Sequence, residues 1–371
     1  MQIGIPTERK VHEYRVALTP AGAHRLAAEG HDVVVQAGAG LGSAITDEEY
    51  VAAGARIVAT ADEVWASELV CKVKEPIGSE YGLLRRDQVL FTYLHLAADQ
   101  ACTDALLAAG TTSVAYETVQ LPDHSLPLLA PMSEVAGRLA PQVGAYHLMR
   151  SEGGRGLLPG GVPGVAPAKV VLLGGGVAGR HAADIALGLR ADVTILDVSL
   201  PRLRELDAAY GGRVRTLASS AYAIEQEVLA ADLVIGAVLV TGAKAPKLVS
   251  HDLVSRMKQG SVLVDIAVDQ GGCFEDTRAT THAEPTFRVF DSIFYCVANM
   301  PGAVPATSTA ALTNATLPYL SALAGRGWRG ALAEDAALAG GLTTHEGVLL
   351  NLAVAEAHGY SVGAAAELLV G

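Results

Sequence analysis

Val170-Val171-Leu172-Leu173-Gly174-Gly175-Gly176-Val177-Ala178-Gly179 is the stretch whose reading decides the fold. Four apolar residues run into a glycine cluster and then into a helical pattern, Arg180 to Leu189. Gly174, Gly176 and Gly179 keep the spacing GxGxxG: one for a tight turn, one for close approach of a pyrophosphate, one for helix–strand packing. In a chain of 371 residues with 40 glycines the bare spacing says almost nothing. Its context says more. A second apolar run, Val193-Thr194-Ile195-Leu196, ends on Asp197, which lies 197 − 174 = 23 residues after the first glycine. A carboxylate at that distance suits the two ribose hydroxyls of a dinucleotide, and the helix N-terminus suits its phosphates. With no adjacent arginine pair, Asp197 would repel a 2′-phosphate, which favours NAD over NADP. The competing reading is a glycine-rich turn of an ordinary α/β domain.

Outward from this loop, apolar runs alternate with helical patterns in both directions. Ile3 to Pro6, Asp32 to Gln36, Val70 to Val73, Val89 to Tyr93 and Ser113 to Tyr116 read as buried strands. Pro20 to Glu29 reads as a helix capped by Thr19, and Ala101 to Ala109 as one stopped by Gly110. A long helix from Ser133 to about Arg150 and a Gly/Pro-rich loop, Gly153 to Pro167, lead into the strands Lys169 to Leu173, Asp192 to Leu196, Leu233 to Gly236 and Ser261 to Asp265. The tail reads as helical over Thr307 to Leu323 and Gly347 to Ala357. The pattern predicts two α/β domains with doubly wound parallel sheets. Residues 1–128 with the returning helical tail, 307–371, form the first domain, and 129–306 the second.

Composition narrows the class. Half the chain is hydrophobic and 18% charged, so disorder is excluded. Lys plus Arg 27 against Asp plus Glu 39 gives −12 with no basic block, which argues against a nucleic-acid or anionic-membrane surface. The longest apolar candidate for a membrane span, Leu233 to Ala243, is too short. Low charge on a chain of this size points to surface hidden in a homo-oligomer. The opening MQIGIPTERK does not read as a signal peptide. Cys71, Cys102, Cys273 and Cys296 have neither metal nor disulfide spacing, so reduced thiols and a cytoplasmic location are expected.

The segments GIPTERKVHEYRVALTPAG, CKVKEP, LHLA, ETVQ…LPLLAPMSEVAGRLA, VDIAVDQGGCFE and CVANMPGAVPATST, in order and over essentially the whole chain, resemble the alanine dehydrogenases. The transhydrogenase α subunit shares RVALTP and the glycine-rich segment but not the DQGG form. The resemblance implies NAD-dependent, reversible oxidative deamination of L-alanine to pyruvate and ammonia by a hexamer, with hydride transfer in a cleft between domains.

The residues fit that chemistry. A small amino acid needs cations on its carboxylate, and Arg15 and Lys74 stand in apolar or turn-like segments. Alone, each reads as a surface charge; the resemblance makes both substrate-binding. Attack of water on an imine needs a group that moves protons near neutral pH. His95 follows the strand Val89 to Tyr93, where α/β sites gather, and its match to LHLA makes it the expected acid/base. Composition alone would make it a structural histidine. Asp269, just past Ser261 to Asp265, would stabilise the cationic amine; otherwise it reads as a turn-capping carboxylate before Gly271-Gly272. Glu117 reads as structural.

The resemblance also assigns a cofactor site. It comprises Ser133, Val177, Asp197, Arg202, Ser219, Val238, Leu239, Ile266, Ala267, Val268, Asp269, Arg278, Val297, Ala298, Asn299 and Met300, beside Gly174, Gly176, Ala178 and Gly179 of the loop. Some relatives carry a metal-binding acid and histidine one turn apart after the NATLPY segment. Here Ala322 and Arg326 stand there, so no metal is expected. Gly359-Tyr360-Ser361-Val362-Gly363 matches GxSxG, but no histidine follows it, which rejects a serine hydrolase. His345-Glu346 lacks the second histidine of HExxH. Two other functions stay open: a transhydrogenase-like nucleotide-binding subunit, and a non-catalytic NAD-binding sensor.

Overall fold

The structure, a computed structural model, describes residues 1–238, 245–365 and 368. The chain forms two compact units: Met1–Met132 with the chain from Val304 onward, and Ser133–Ala303. The strands in chain order are β1 (Gln2–Ile5), β2 (Asp32–Gln36), β3 (Arg56–Val58), β4 (Leu69–Cys71), β5 (Val89–Thr92) and β6 (Thr112–Ala115). Then come β7 (Lys169–Leu173), β8 (Asp192–Asp197), β9 (Arg215–Ala218), β10 (Leu233–Gly236), β11 (Val262–Asp265), β12 (Thr286–Val289) and β13 (Ser292–Tyr295). β14 (Leu342–His345) and β15 (Val348–Leu349) close the set.

In the second unit the sheet runs β12-β13-β11-β10-β7-β8-β9, parallel except for β12. Alternate strand residues feed opposite faces. Val170, Leu172, Val193, Ile195, Leu233, Ile235, Val262 and Val264 pack with Ala182 and Ala186 of the helix Val177–Gly188. Val171, Leu173, Leu196, Val234 and Leu263 pack on the other face with Ile224 and Val228 of the helix Ala221–Ala230. Burial on both faces is why these strands read as unbroken apolar runs rather than as alternation. The order reverses between β7 and β10, the point at which such sheets bind ligands.

The first unit carries the order β15-β14-β6-β5-β4-β1-β2-β3, parallel from β6 through β3. Its reversal lies between β1 and β4, so the segments after Ile5 and Cys71 meet at the carboxyl edge. The helix Pro20–Ala28 starts as its sequence predicts, with the Thr19 side chain accepting from the Gly22 N–H at 3.3 Å. Gly110, in the left-handed region at φ 71°, ends the helix Gln100–Ala109. Both doubly wound α/β sheets predicted from the sequence are present.

Local details differ. The long helix spans Ala130–His147, three residues earlier than expected. The tail helix spans Pro305–Glu334 and is broken at Gly327, where φ is 68° and ψ 159°. Gly347 to Ala357 is not one helix. Glu346 and Gly347 both take positive φ and form the two-residue turn of a hairpin, β14–β15, that pairs antiparallel with β6. The helix begins only at Leu352, where the Asn351 side chain accepts from the Val354 N–H at 3.1 Å. Gly359 is the left-handed cap of that helix, so the GxSxG match is no strand-to-helix elbow. No helix among the described residues is long and apolar enough to cross a membrane.

Candidate active site

Four chemistry-bearing segments of the first unit share the carboxyl edge of its sheet. After β1 comes Glu8, whose Oε1 accepts from the Val73 N–H at 2.7 Å. After β4 comes Lys72, buried, with its Nζ 2.8 Å from Glu80 and 3.3 Å from Glu8. This ion triad fixes the backbone on which Lys74 stands, and the Thr92 hydroxyl adds a bond to the Lys74 carbonyl at 3.0 Å.

Lys74 is mostly buried. Burial, reinforced by the Arg15 guanidinium nearby, holds its ammonium group below the usual lysine range. Its Nζ has no hydrogen-bond or ion-pair partner among the described residues. The carboxylates whose charge reaches it are Glu75 and Glu13, and each is engaged by another cation: Glu75 by Lys10, Glu13 by Arg15. Three cations, Lys10, Arg15 and Lys74, thus face two carboxylates. Of the three, only Lys74 is left without an ion-pair partner among the described residues.

Arg15 is buried and forked onto Glu13, with Nε to Oε1 at 2.6 Å and NH2 to Oε2 at 2.5 Å. The Arg15 N–H adds a bond to Glu13 Oε1 at 3.1 Å, and NH1 lies 3.0 Å from the Met132 sulfur. Sequence reasoning did not name Glu13, which orients the guanidinium by bidentate pairing.

His95 follows β5 and is part-exposed, stacked on Tyr93 with ring centroids 5.7 Å apart and planes 8° from parallel. Its backbone is left-handed, at φ 48° and ψ 34°. Glu117, after β6, accepts from the His95 N–H at 2.6 Å and from the Leu94 N–H at 3.2 Å.

In the second unit the glycine loop leaves β7 at the sheet reversal. Gly174 has φ 101°, and a Cβ on it would stand 2.8 Å from the Ala237 carbonyl oxygen. A Cβ on Gly179 would stand 1.9 Å from the Gly174 carbonyl oxygen, so only glycine lets the helix start this close to the strand. A Cβ on Gly176 would meet nothing within 4 Å, so the loop opens there onto free space at the helix N-terminus, beside Val177 and Ala178. That is where a pyrophosphate fits. Asp197 ends β8, its Oδ2 accepting from the Gly175 N–H at 2.7 Å and its Oδ1 from the Ser199 N–H at 2.8 Å. A carboxylate with one bond to each oxygen keeps lone pairs for a ribose diol. The residues fit a dinucleotide.

The remaining assignments scatter around the same sheet edge. Arg202 donates from Nε to the Gly175 carbonyl at 2.6 Å and pairs with Glu205 at 2.9 Å, so it clamps the loop as well as flanking Asp197. The Ser219 N–H donates to the Asp197 carbonyl at 2.9 Å. Val238 follows β10; Leu239 lies outside the described residues. Ile266, Ala267, Val268 and the exposed Asp269 follow β11, on a turn that buried Asp265 organises through the Ala267 and Cys273 N–H groups and the Thr277 hydroxyl. Val297 and Met300 bury their side chains in the core, leaving Ala298 and the backbone at the edge. The Asn299 carbonyl bonds His282 Nε2 at 2.8 Å. Ser133 stands on the helix Ala130–His147. Arg278 is exposed and lies over the Phe287 ring at 4.3 Å, with no bond to the glycine loop among the described contacts.

Comparison with known proteins identifies the family. Models of the N-terminal and C-terminal domains of alanine dehydrogenase/PNT match residues 4–136 and 140–351. An alanine dehydrogenase of Mycobacterium tuberculosis (strain CDC 1551 / Oshkosh) is 65% identical over 96% of each chain. A solved L-alanine dehydrogenase superposes with TM-score 0.94 at 52% identity, covering 97% of this chain and 99% of its own. A transhydrogenase from Sinorhizobium meliloti gives TM-score 0.82 at 28% identity, covering 95% of this chain and 100% of its own. With both domain models matched in order, and full-length identity far above what a shared fold alone would bring, the chain belongs to the alanine dehydrogenase/PNT family.

Proposed function

We propose that this chain catalyses the reversible, NAD-dependent oxidative deamination of L-alanine to pyruvate and ammonia. The observation that carries the reading is the 65% identity, over nearly the whole chain, to a protein named alanine dehydrogenase. The likeness to a transhydrogenase is much weaker, at 28%.

In this reading the first unit binds substrate and the second binds NAD. The alanine carboxylate is the anion missing beside Lys74, held by that amine and by Arg15, which Glu13 orients. Bound NAD supplies the hydride acceptor. Gly174, Gly176 and Gly179 with the N–H groups of Val177 and Ala178 hold its phosphates, Asp197 and Arg202 its adenosine end. Ser133, Ser219, Val238, Leu239, Arg278, the segment Ile266 to Asp269 and the segment Val297 to Met300 supply its remaining contacts. His95 takes the proton that the substrate ammonium must lose before its Cα can give up hydride. That proton passes on to solvent, and the neutral imidazole then takes a proton from the water that adds to the iminium carbon and returns it to the nitrogen, which leaves with the hydroxyl proton as ammonium. Asp269 stabilises the cationic iminium. The assembly is a cytoplasmic homo-oligomer, a hexamer, without a metal.

The test is direct. The purified chain with L-alanine and NAD should produce NADH absorbance, at a rate cut roughly 100-fold or more in His95→Ala. Intact NAD binding with no alanine-dependent NADH would instead make the protein an NAD sensor.

A further inference from the structure

We propose that Glu117 is the positioning residue for His95, setting the backbone turn that presents the imidazole and holding its charged form during turnover. The inference rests on the proton-moving role of His95 given above.

His95 is one of the non-glycine residues with positive φ, a conformation unfavourable for a residue that carries a side chain. It persists where neighbours over-determine it. The neighbour here is one carboxylate. Glu117 Oε1 accepts from the His95 N–H at 2.6 Å, and both its oxygens lie 3.2 Å from the Leu94 N–H. Two successive N–H groups pointing at one anion make a small nest, and a backbone in this shape is stabilised by the charge it encloses. The same Oε1 stands 3.9 Å from His95 Nδ1. That is long for a hydrogen bond and well within reach of a charge interaction. One side chain thus touches both the frame and the ring.

The placement follows from the topology. β5 and β6 are adjacent and parallel, in register from Val89 and Thr112 through Thr92 and Ala115. Segments that leave the two strands at the same edge are therefore neighbours, although 22 residues separate Glu117 from His95. Tyr93 completes the surround by stacking on the ring. Among the described residues, Tyr93 and Glu117 are the ionisable side chains in direct contact with His95. With Nδ1 turned to Glu117, Nε2 is the nitrogen that works on substrate.

A purely structural carboxylate and a positioning one differ in what glutamine can replace. Glutamine keeps an acceptor oxygen for the two N–H groups but brings no charge to the ring. Glu117→Gln should melt close to the wild type and keep its KM for alanine and its affinity for NAD, while kcat falls by about tenfold or more. Glu117→Ala should lose the backbone support too and fall further in kcat. Placed on His95→Ala, Glu117→Gln should change nothing more, because its effect runs through the imidazole. Full rescue of kcat by glutamine would overturn the inference, and so would an additive loss on the His95→Ala background. Either result leaves the proposed reaction standing if wild-type protein still makes NADH from alanine, so the two failures are distinguishable.

Discussion

Replacing Lys74 by methionine tests the substrate-binding argument from two sides. The amine is a mostly buried cation without a partner among the described residues, facing two carboxylates that other cations hold. A charge-assisted hydrogen bond to a substrate carboxylate contributes about 1.5–3 kcal/mol. At about 1.4 kcal/mol per factor of ten, Lys74→Met should raise the KM for alanine roughly ten- to a hundredfold. Stability should move the other way. The native state binds this proton less tightly than the unfolded chain, because burial and Arg15 lower the amine's pKa. The charged amine therefore costs stability below its native pKa, and the cost fades as pH rises from there toward the ordinary lysine value of about 10.4. Methionine, similar in shape and uncharged, removes the cost, so the variant should melt above the wild type at neutral pH, with a gain that shrinks under alkaline conditions. Alanine kinetics and a series of melts at stepped pH read both effects. An unchanged KM would remove Lys74 from the substrate site. A lower melting temperature at neutral pH would mean that the amine is stabilised in the fold and not waiting for an anion.

His95→Ala and Asp269→Ala should each lose roughly 100- to 10,000-fold in turnover with NAD affinity little changed. A loss under about tenfold, in steady-state assays beside NAD titration, would reject either role. Asp197→Ala should weaken NAD binding and narrow the preference over NADP, measured as the ratio of kcat/KM values; an unmoved ratio would show that Asp197 does not face the ribose. Gly179→Ala places a methyl group 1.9 Å from the Gly174 carbonyl oxygen. It should destabilise the chain by about 1–3 kcal/mol in denaturant titration and depress NAD binding, and a variant equal to the wild type in both would mean that the loop relaxes freely.

The glycine loop was legible because parallel strands buried on both faces give apolar runs, and residues just past such runs fall at one edge. Asp197, Val238, His95 and Asp269 were read at strand ends by that logic, whereas Lys74 came from the family resemblance. Glu13 was not named at all, and Glu117 was read only as structural. Each acts through a neighbour, and for Glu117 that neighbour is met only once β5 pairs with β6. Short edge strands were equally hard to see: β3 has three residues and β15 two, too few for a period to show. The hairpin β14–β15 was hidden in an Ala/Leu-rich tail that reads as helix, although Thr343 and Thr344 are β-branched and suit a strand.

That hairpin also sets an order of events during synthesis. The second unit is one continuous stretch, Ser133–Ala303, and has all its strands once the ribosome has passed β13. The first unit is left waiting. β6 pairs with β5 on one flank, and the other flank is closed by β14, more than two hundred residues downstream. Until Leu342 emerges, β6 is a bare sheet border on a nascent chain, open to pairing with another polypeptide. The half of the protein begun first is therefore the half finished last.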